Sequence, residues 1–188
     1  MPVDTDYALA MSDGIVSQAP QDTAEPTGME VLATPWVDLG AISTNGLTES
    51  KKQTRTDFKR WGNIQIYKSV ITDEALTFTV EFLESNPNVM ALYYRLTAAP
   101  TPDATSHVIK FSDDITGTRV INALVFDLTE GTNHVRYWCP RAEVTDNADV
   151  VNKTDGERTY GVTITAYPDD TGVAISRQFL LDAVVNGA

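Results

Sequence analysis

A single cysteine, Cys139, stands in 188 residues, so no internal disulfide can form and nothing in the chain asks for an oxidising compartment. Histidine is nearly as scarce, with only His107 and His134. A Ser-His-Asp or Cys-His site needs a histidine base, and each of these two falls in a predicted strand without a telling neighbour. Basic charge is also short: 14 Lys and Arg face 26 Asp and Glu, for a net charge of -12. That balance argues against a surface that grips nucleic-acid phosphates by attraction, and fits either simple solubility or repulsion of DNA. Long apolar runs are missing. Stretches such as "ALVF" at 123–126 fall far below the roughly 20 residues a membrane helix needs. The N-terminal stretch has Asp4, Asp6 and Asp13 and no basic leader, so a soluble protein made in a cytoplasm, with no membrane contact, is expected.

Metal and phosphate chemistry has little to work with. Glycines occur singly at turns, so no phosphate-cradling loop is present, and Cys139 in "YWCPRAE" has no partner at zinc spacing, which makes it a small, semi-buried hydrophobe. The acid pairs Asp113-Asp114 and Asp169-Asp170, and the group Asp146, Asp149, Asp155 and Glu157, could collect calcium, but the spacing does not match an EF-hand loop. Asp-rich turns are explained by side chains bonding to their own backbone. Asn152-Lys153-Thr154 matches a glycosylation sequon, a chance match in a chain with no visible secretion signal. No catalytic residue, cofactor or metal site is therefore expected, and no enzyme.

What is present is strand periodicity. With 42% hydrophobic residues the chain can bury one sizeable core. Residues 1–29, rich in Asp, Pro, Ser, Thr and Gln, show no period and read as an arm that is flexible or ordered on assembly. Residues 30–188 read as a single domain. A first strand is predicted within 31–39, broken by Pro35 and ended by Gly40. A long polar connection follows over 41–57. Alternation resumes over 58–70, with Ile64, Ile66 and Val70 on one face, and a turn at Thr72-Asp73-Glu74 returns the chain.

The stretch "TFTVEFLESNPNVMALYY", residues 77–94, holds two periods. Phe78, Val80 and Phe82 alternate with Thr77, Thr79 and Glu81, as in a half-buried strand. Asn86 then caps a helix with Pro87 first, and Val89, Leu92, Tyr93 and Leu96 form one apolar stripe to about residue 97. Beyond the Pro-containing linker, strands are predicted at 107–111, 118–128, 133–144, 158–167 and 172–181, separated by "DDITG", "TEGT", "TDNAD", "TDGE" and "PDDTG". Both parities of "TRVINALVFDL" are apolar, so both faces of that strand should be covered. The fold class is mainly β, an antiparallel β-sandwich or barrel with one flanking α-helix, a long inter-strand loop and an extended N-terminal arm.

One cluster opposes the global charge. "KKQTRTDFKR" holds Lys51, Lys52, Arg55, Lys59 and Arg60, five of the 14 basic residues. A solvated loop, or a patch complementary to an acidic neighbouring copy, both fit it better than nucleic-acid contact, since aromatics are not interleaved.

The order of these features resembles the major tail proteins, or tail tube proteins, of long-tailed bacteriophages. The likeness is carried by "WVDLGAISTNGL" (36–47), "FKRWGNIQIYKSVITDEALTFTVEFLESNPNVMALYY" (58–94) and "RTYGVTITAYPDDTGVAI" (158–175). It spans about residues 31–181, and its specificity lies in the order of the motifs. The resemblance implies a structural virion protein, made in the host bacterial cytoplasm, that forms hexameric rings stacked into a hollow tail tube through which the genome passes.

By position, the long loop would reach between subunits and rings, which assigns interface roles to Thr48, Glu49, Ser50, Lys51, Lys52, Gln53, Thr54 and Arg55, with Lys59 and Arg60 beyond it. The polar strand face of Thr77, Thr79 and Glu81 would turn to the lumen or an interface. Implied partners are further copies of the chain, a tape measure protein, a tail terminator and a distal tail protein, with DNA passing unbound. No C-terminal immunoglobulin-like domain is expected. The alternatives are another ring-forming virion component, such as a terminator or distal tail protein, and a monomeric β-sandwich binding module.

Overall fold

Alternating β-branched and aromatic residues make strands, and the computed structural model describes residues 8–112 and 119–181. Within these it has seven strands: β1 (Asp13–Pro20), β2 (Val37–Lys59), β3 (Ile66–Phe82), β4 (Ile121–Glu130), β5 (Asn133–Asn147), β6 (Tyr160–Tyr167) and β7 (Ser176–Leu180). One helix, α1 (Pro87–Tyr93), follows β3. The strands form one antiparallel sheet in the order β4-β1-β2-β3-β6-β5-β7, and β4 also pairs with β5. That additional pairing closes six strands into a ring. Along β5, residues 134–138 pair with β7 and residues 141–147 with β6. The mainly β antiparallel fold with one flanking helix is the one expected from the sequence.

The interior is filled by the inward parity of each strand. Val16, Leu39, Phe78, Val80, Phe82, Leu124, Phe126, Val162 and Ile164 are almost completely buried, and the Phe78 and Phe126 rings stand 4.5 Å apart. Fully burying each such side chain contributes about 1.5–3 kcal/mol. The outer parity of β4 is covered as well: Ala123 and Val125 are as buried as Leu124 and Phe126.

The cover comes from residues 21–36, fastened to β5 and its neighbours. The Asp22 N–H donates to the Pro140 carbonyl, and Arg141 donates to the Asp22 carboxylate. Gln178 donates to Glu25 and to the Pro26 carbonyl. Arg136, 1% exposed, donates to both carboxylate oxygens of Asp127 and to the carbonyls of Gly28 and Glu30.

Asn86 caps α1 as expected, accepting from the Val89 N–H at 2.9 Å, with Pro87 at the start. Its amide also donates to the Leu39 carbonyl, and Val89 and Leu92 enter the core. Gly40 is required here twice over. Its φ is +88°, and a Cβ would lie 2.5 Å from the Glu84 carboxylate, which itself accepts from the Ala41 N–H.

Several boundaries differ from expectation. Residues 13–20, placed in a flexible arm, are strand β1 between β4 and β2. Ser17 and Ala19 are buried along with Val16, so small and polar residues occupy covered positions and mask the period. The polar "loop" 41–57 is strand throughout, as part of β2. The turn placed at Thr72-Asp73-Glu74 is strand interior with a bulge, and the chain reverses instead at residues 60–65, where Gly62 has φ +77°. Residues 31–36 and 107–111 form no strand, and α1 stops at Tyr93 instead of near 97. Asp113 and Asp114 lie outside the described residues.

Candidate assembly surface

β2 and β3 are far longer than the sheet that holds them. β3 pairs with β6 only from Leu76 to Phe82, and β2 pairs with β1 only between Val37 and Ala41. Beyond those points the two strands pair with each other alone, from Lys52↔Ala75 out to Lys59↔Ile66. Every residue from 51 to 74 is exposed. The result is a two-stranded hairpin projecting from the barrel. Its two outer edges carry unpaired backbone groups among the described residues, and so does the free edge of β7. A two-stranded ribbon with neither face packed is marginal alone, and open edges are templates for pairing with another chain.

The hairpin is not polar in the way a solvated ribbon should be. Trp61 is fully exposed, Ile64 is 89% and Tyr67 70% exposed, and Phe58, Ile66, Val70 and Ile71 are also on the surface. Ile64, Ile66 and Val70 were expected on one face of an alternating strand; among the described residues nothing buries them. An apolar surface of this kind marks an interaction site.

All five clustered bases fall on this hairpin, spread along β2 and the turn that follows it. Lys51 Nζ lies 2.6 Å from Glu74, and Gln53 donates to the same carboxylate. These two donors hold the Glu74 carboxyl below the usual range, the Lys51 bond contributing most. Arg55 bonds Gln53. Lys52, Arg55, Lys59 and Arg60 form no ion pair with a described residue. Glu49, at the hairpin base, pairs with Arg177 of β7.

The second candidate surface is the polar parity of the sheet. Opposed residues share a face, and two rows cross four strands: Ser50, Thr77, Thr165 and Glu143 in one, Thr48, Thr79, Thr163 and Asp146 in the other. Phe78 and Val80 on the intervening parity are buried, so the rows face away from the core. Neither row contains a basic residue. Thr145 and Thr165 hydroxyls bond at 2.8 Å. Glu81 is held by Ser43 and Asn45, and Glu143 by Arg119, whose bond keeps its carboxyl below the usual range. Thr54 lies on the hairpin, opposite Asp73.

Candidates for chemistry are placed as structural groups. Cys139 is completely buried, and loss of solvent pushes its thiol up to about 12. Asp169 accepts from the backbone and hydroxyl of Thr171 and the N–H of Val173, a turn bonding to itself. Among the described residues no group of three or more His, Cys, Asp or Glu could hold a metal ion, and no helix is long and apolar enough to cross a membrane. The exposed aromatics of the hairpin and the buried Arg136–Asp127 pair were not singled out from sequence. Trp61 beside Lys59 and Arg60 was the available signal for the first; no local pattern signals the second.

A family model described as phage tail tube protein matches residues 1–185. The chain belongs to that family. Tail tube proteins are structural components of the virion tail and not enzymes, so this chain is a structural tail protein. No curated protein matches it significantly. Among solved structures, a chain of the "anti-feeding prophage (AFP) baseplate, 6-fold symmetrised", determined by cryo-EM, matches with TM-score 0.47 and 9% identity, covering 95% of this chain and 97% of that one. A likeness at that level carries no argument here.

Proposed function

We propose that this tail tube protein polymerises as hexameric rings stacked into a hollow tube that conducts the phage genome, with the β2–β3 hairpin as its principal contact between copies. The reading is carried by one observation: residues 51–74 form a fully exposed hairpin with open edges, apolar side chains and unpaired cations. A second copy would satisfy all three features, pairing the edges, covering the apolar residues and meeting the bases with its acidic surface. Interface roles for Lys51, Lys52, Gln53, Thr54, Arg55, Lys59 and Arg60 follow from their place on this hairpin, while Thr48, Glu49 and Ser50 lie at its base, where β3 also pairs with β6.

The hydroxyl rows around Thr77, Thr79 and Glu81 suit the lumen. A net charge of -12 and rows whose adjoining cation, Arg119, is bound to Glu143 would let phosphates slide past without being held. The chain would meet the tape measure protein inside the tube and the terminator and distal tail proteins at its ends.

The reading is tested by solution mass against concentration, using light scattering. Growth through hexamer-sized species to very large particles supports it. A species that stays monomeric at every concentration and salt condition refutes it, and arrest at a single ring refutes the tube.

A further inference from the structure

Residues 21–36 do not lie flat on the barrel. Between them and the outer face of β1, β4 and β5 is a cavity of about 310 Å³. Its apolar lining is Ile15, Met29, Val31, Leu32 and Trp36, of which Ile15 is 48% and Val31 97% exposed. Its polar lining includes Asp13, Glu30 and Asp38. Among the described residues, Asp13 and Asp38 accept from the nearby backbone N–H groups of Gly14 and Gly40. None of the three acids pairs with a described cation. Two bases also line the cavity: Arg136 is fully engaged with Asp127 and two carbonyls, and His134 Nε2 lies 3.4 Å from the same Asp127.

The hairpin tip has the opposite character. Between Arg55 and Val70 it carries Arg55, Lys59, Arg60 and Lys68 against one acid, Asp57, and it presents Trp61 with no neighbour covering it. We propose that the cavity is a socket for the hairpin tip of a second copy of this chain, with the Trp61 indole entering among the apolar residues and Lys59 and Arg60 meeting Asp13, Glu30 and Asp38. The inference rests on the tube reading above and names its contact.

Three features commit the socket to this occupant. The cavity is of a size that takes one large aromatic group. Charge is complementary across the pair, three unpaired acids facing four bases. The tip and the socket are different surfaces of one chain, so each copy offers one of each. Such a head-to-tail contact propagates into a ring or an open-ended filament, whereas a self-complementary patch stops at a dimer. Trp and Arg are also the side chains in which contact energy concentrates.

The test uses the full chain. Asn63→Cys, two residues from Trp61 in the exposed turn, and Leu32→Cys are introduced together and the protein is oxidised under assembly conditions. The native Cys139 does not compete, being buried with its thiol at about 12. Expected is a ladder of disulfide-linked oligomers that neither single variant gives. In parallel, Trp61→Ala raises the concentration needed for assembly by about thirtyfold. Arg60→Glu abolishes assembly, and adding Glu30→Arg restores it in part. Tubes that form without a ladder overturn the socket and leave the tube reading intact. A ladder without tubes upholds the socket and counts against the tube, and a chain that forms neither overturns both.

Discussion

Lys51 on β2 stands 2.6 Å from Glu74 on β3, so one of the five clustered bases is already paired inside the chain, across the hairpin. Both side chains are exposed to solvent, Lys51 by 56% and Glu74 by 37%, which keeps the pair's contribution to stability small. Lys52, Arg55, Lys59 and Arg60 are different. They lie on the same ribbon without an ion-pair partner among the described residues, and a ribbon exposed on both faces has no fold-based reason to carry them.

Reversing Lys52 and Arg55 to Glu should therefore abolish assembly and leave the barrel unchanged. Thermal unfolding of the unassembled variant should stay within about 0.5 kcal/mol of the parent, as for surface substitutions generally. Particle yield by sedimentation should collapse. Undiminished yield would remove the basic hairpin from the interface.

Truncation is a sharper test of the fold. An arm could be removed without loss, but β1 bridges β4 and β2 and closes the ring. Deleting residues 1–20 opens the barrel and exposes the surface that Val16 and Ala19 cover. The expected outcome is an unfolded or aggregated product, read by loss of the cooperative thermal transition. A truncated chain that unfolds cooperatively at the parent's temperature would show that β1 is dispensable.

These two regions also show what sequence pattern can and cannot reveal. The strand 77–82, the Asn86 cap and the doubly covered β4 were legible because one residue's face determines the next by period, whatever the strand's neighbours are. β1 was not, because Ser17, which is buried, and Gln18, which is half-buried, interrupt its apolar alternation. The β2 half of the hairpin was expected to be a loop, because residues 48–57 are all polar and offer no apolar face to announce a strand. The hairpin's bases were visible from the sequence as a charge anomaly. Its apolar residues were visible too, but alternation alone does not say whether the covering surface belongs to the same chain or to another.

Arg136 provides a test of how residues 21–36 are held. Arg136→Met removes the bidentate bond to Asp127 and the donors to Gly28 and Glu30. It leaves a mostly buried carboxylate with only His134 Nε2, 3.4 Å away, beside it, and removing one member of a buried pair costs up to about 3–5 kcal/mol. Denaturant unfolding should register that loss, with faster hydrogen exchange over residues 21–36. Replacing both members, Arg136→Met with Asp127→Leu, should recover part of the loss. Equal stability of the single variant and the parent would show that the pair does not secure the segment.

Acid should loosen the same segment. Arg141 holds the Asp22 carboxyl below its ordinary value of 3.8, and the Ala41 N–H does the same for Glu84, whose ordinary value is 4.5. A carboxyl depressed on folding contributes stability that is complete above its unfolded value and is lost as the pH falls through its folded value. The fall in unfolding temperature should therefore continue below the ordinary carboxyl range. Asp22→Asn should lower stability at neutral pH and flatten that acid limb; an unchanged limb would show that the Asp22–Arg141 pair is not linked to folding.

The central claim is that the projecting hairpin exists to join copies of this chain into a tube, and electron microscopy of the concentrated, purified protein tests it most directly. The account predicts hollow tubes of uniform width and indefinite length from the parent chain, and none when residues 54–73 are replaced by an Asn-Gly turn that leaves the barrel folded. Single rings or dispersed monomers from the parent, or tubes from the chain without its hairpin, would contradict it.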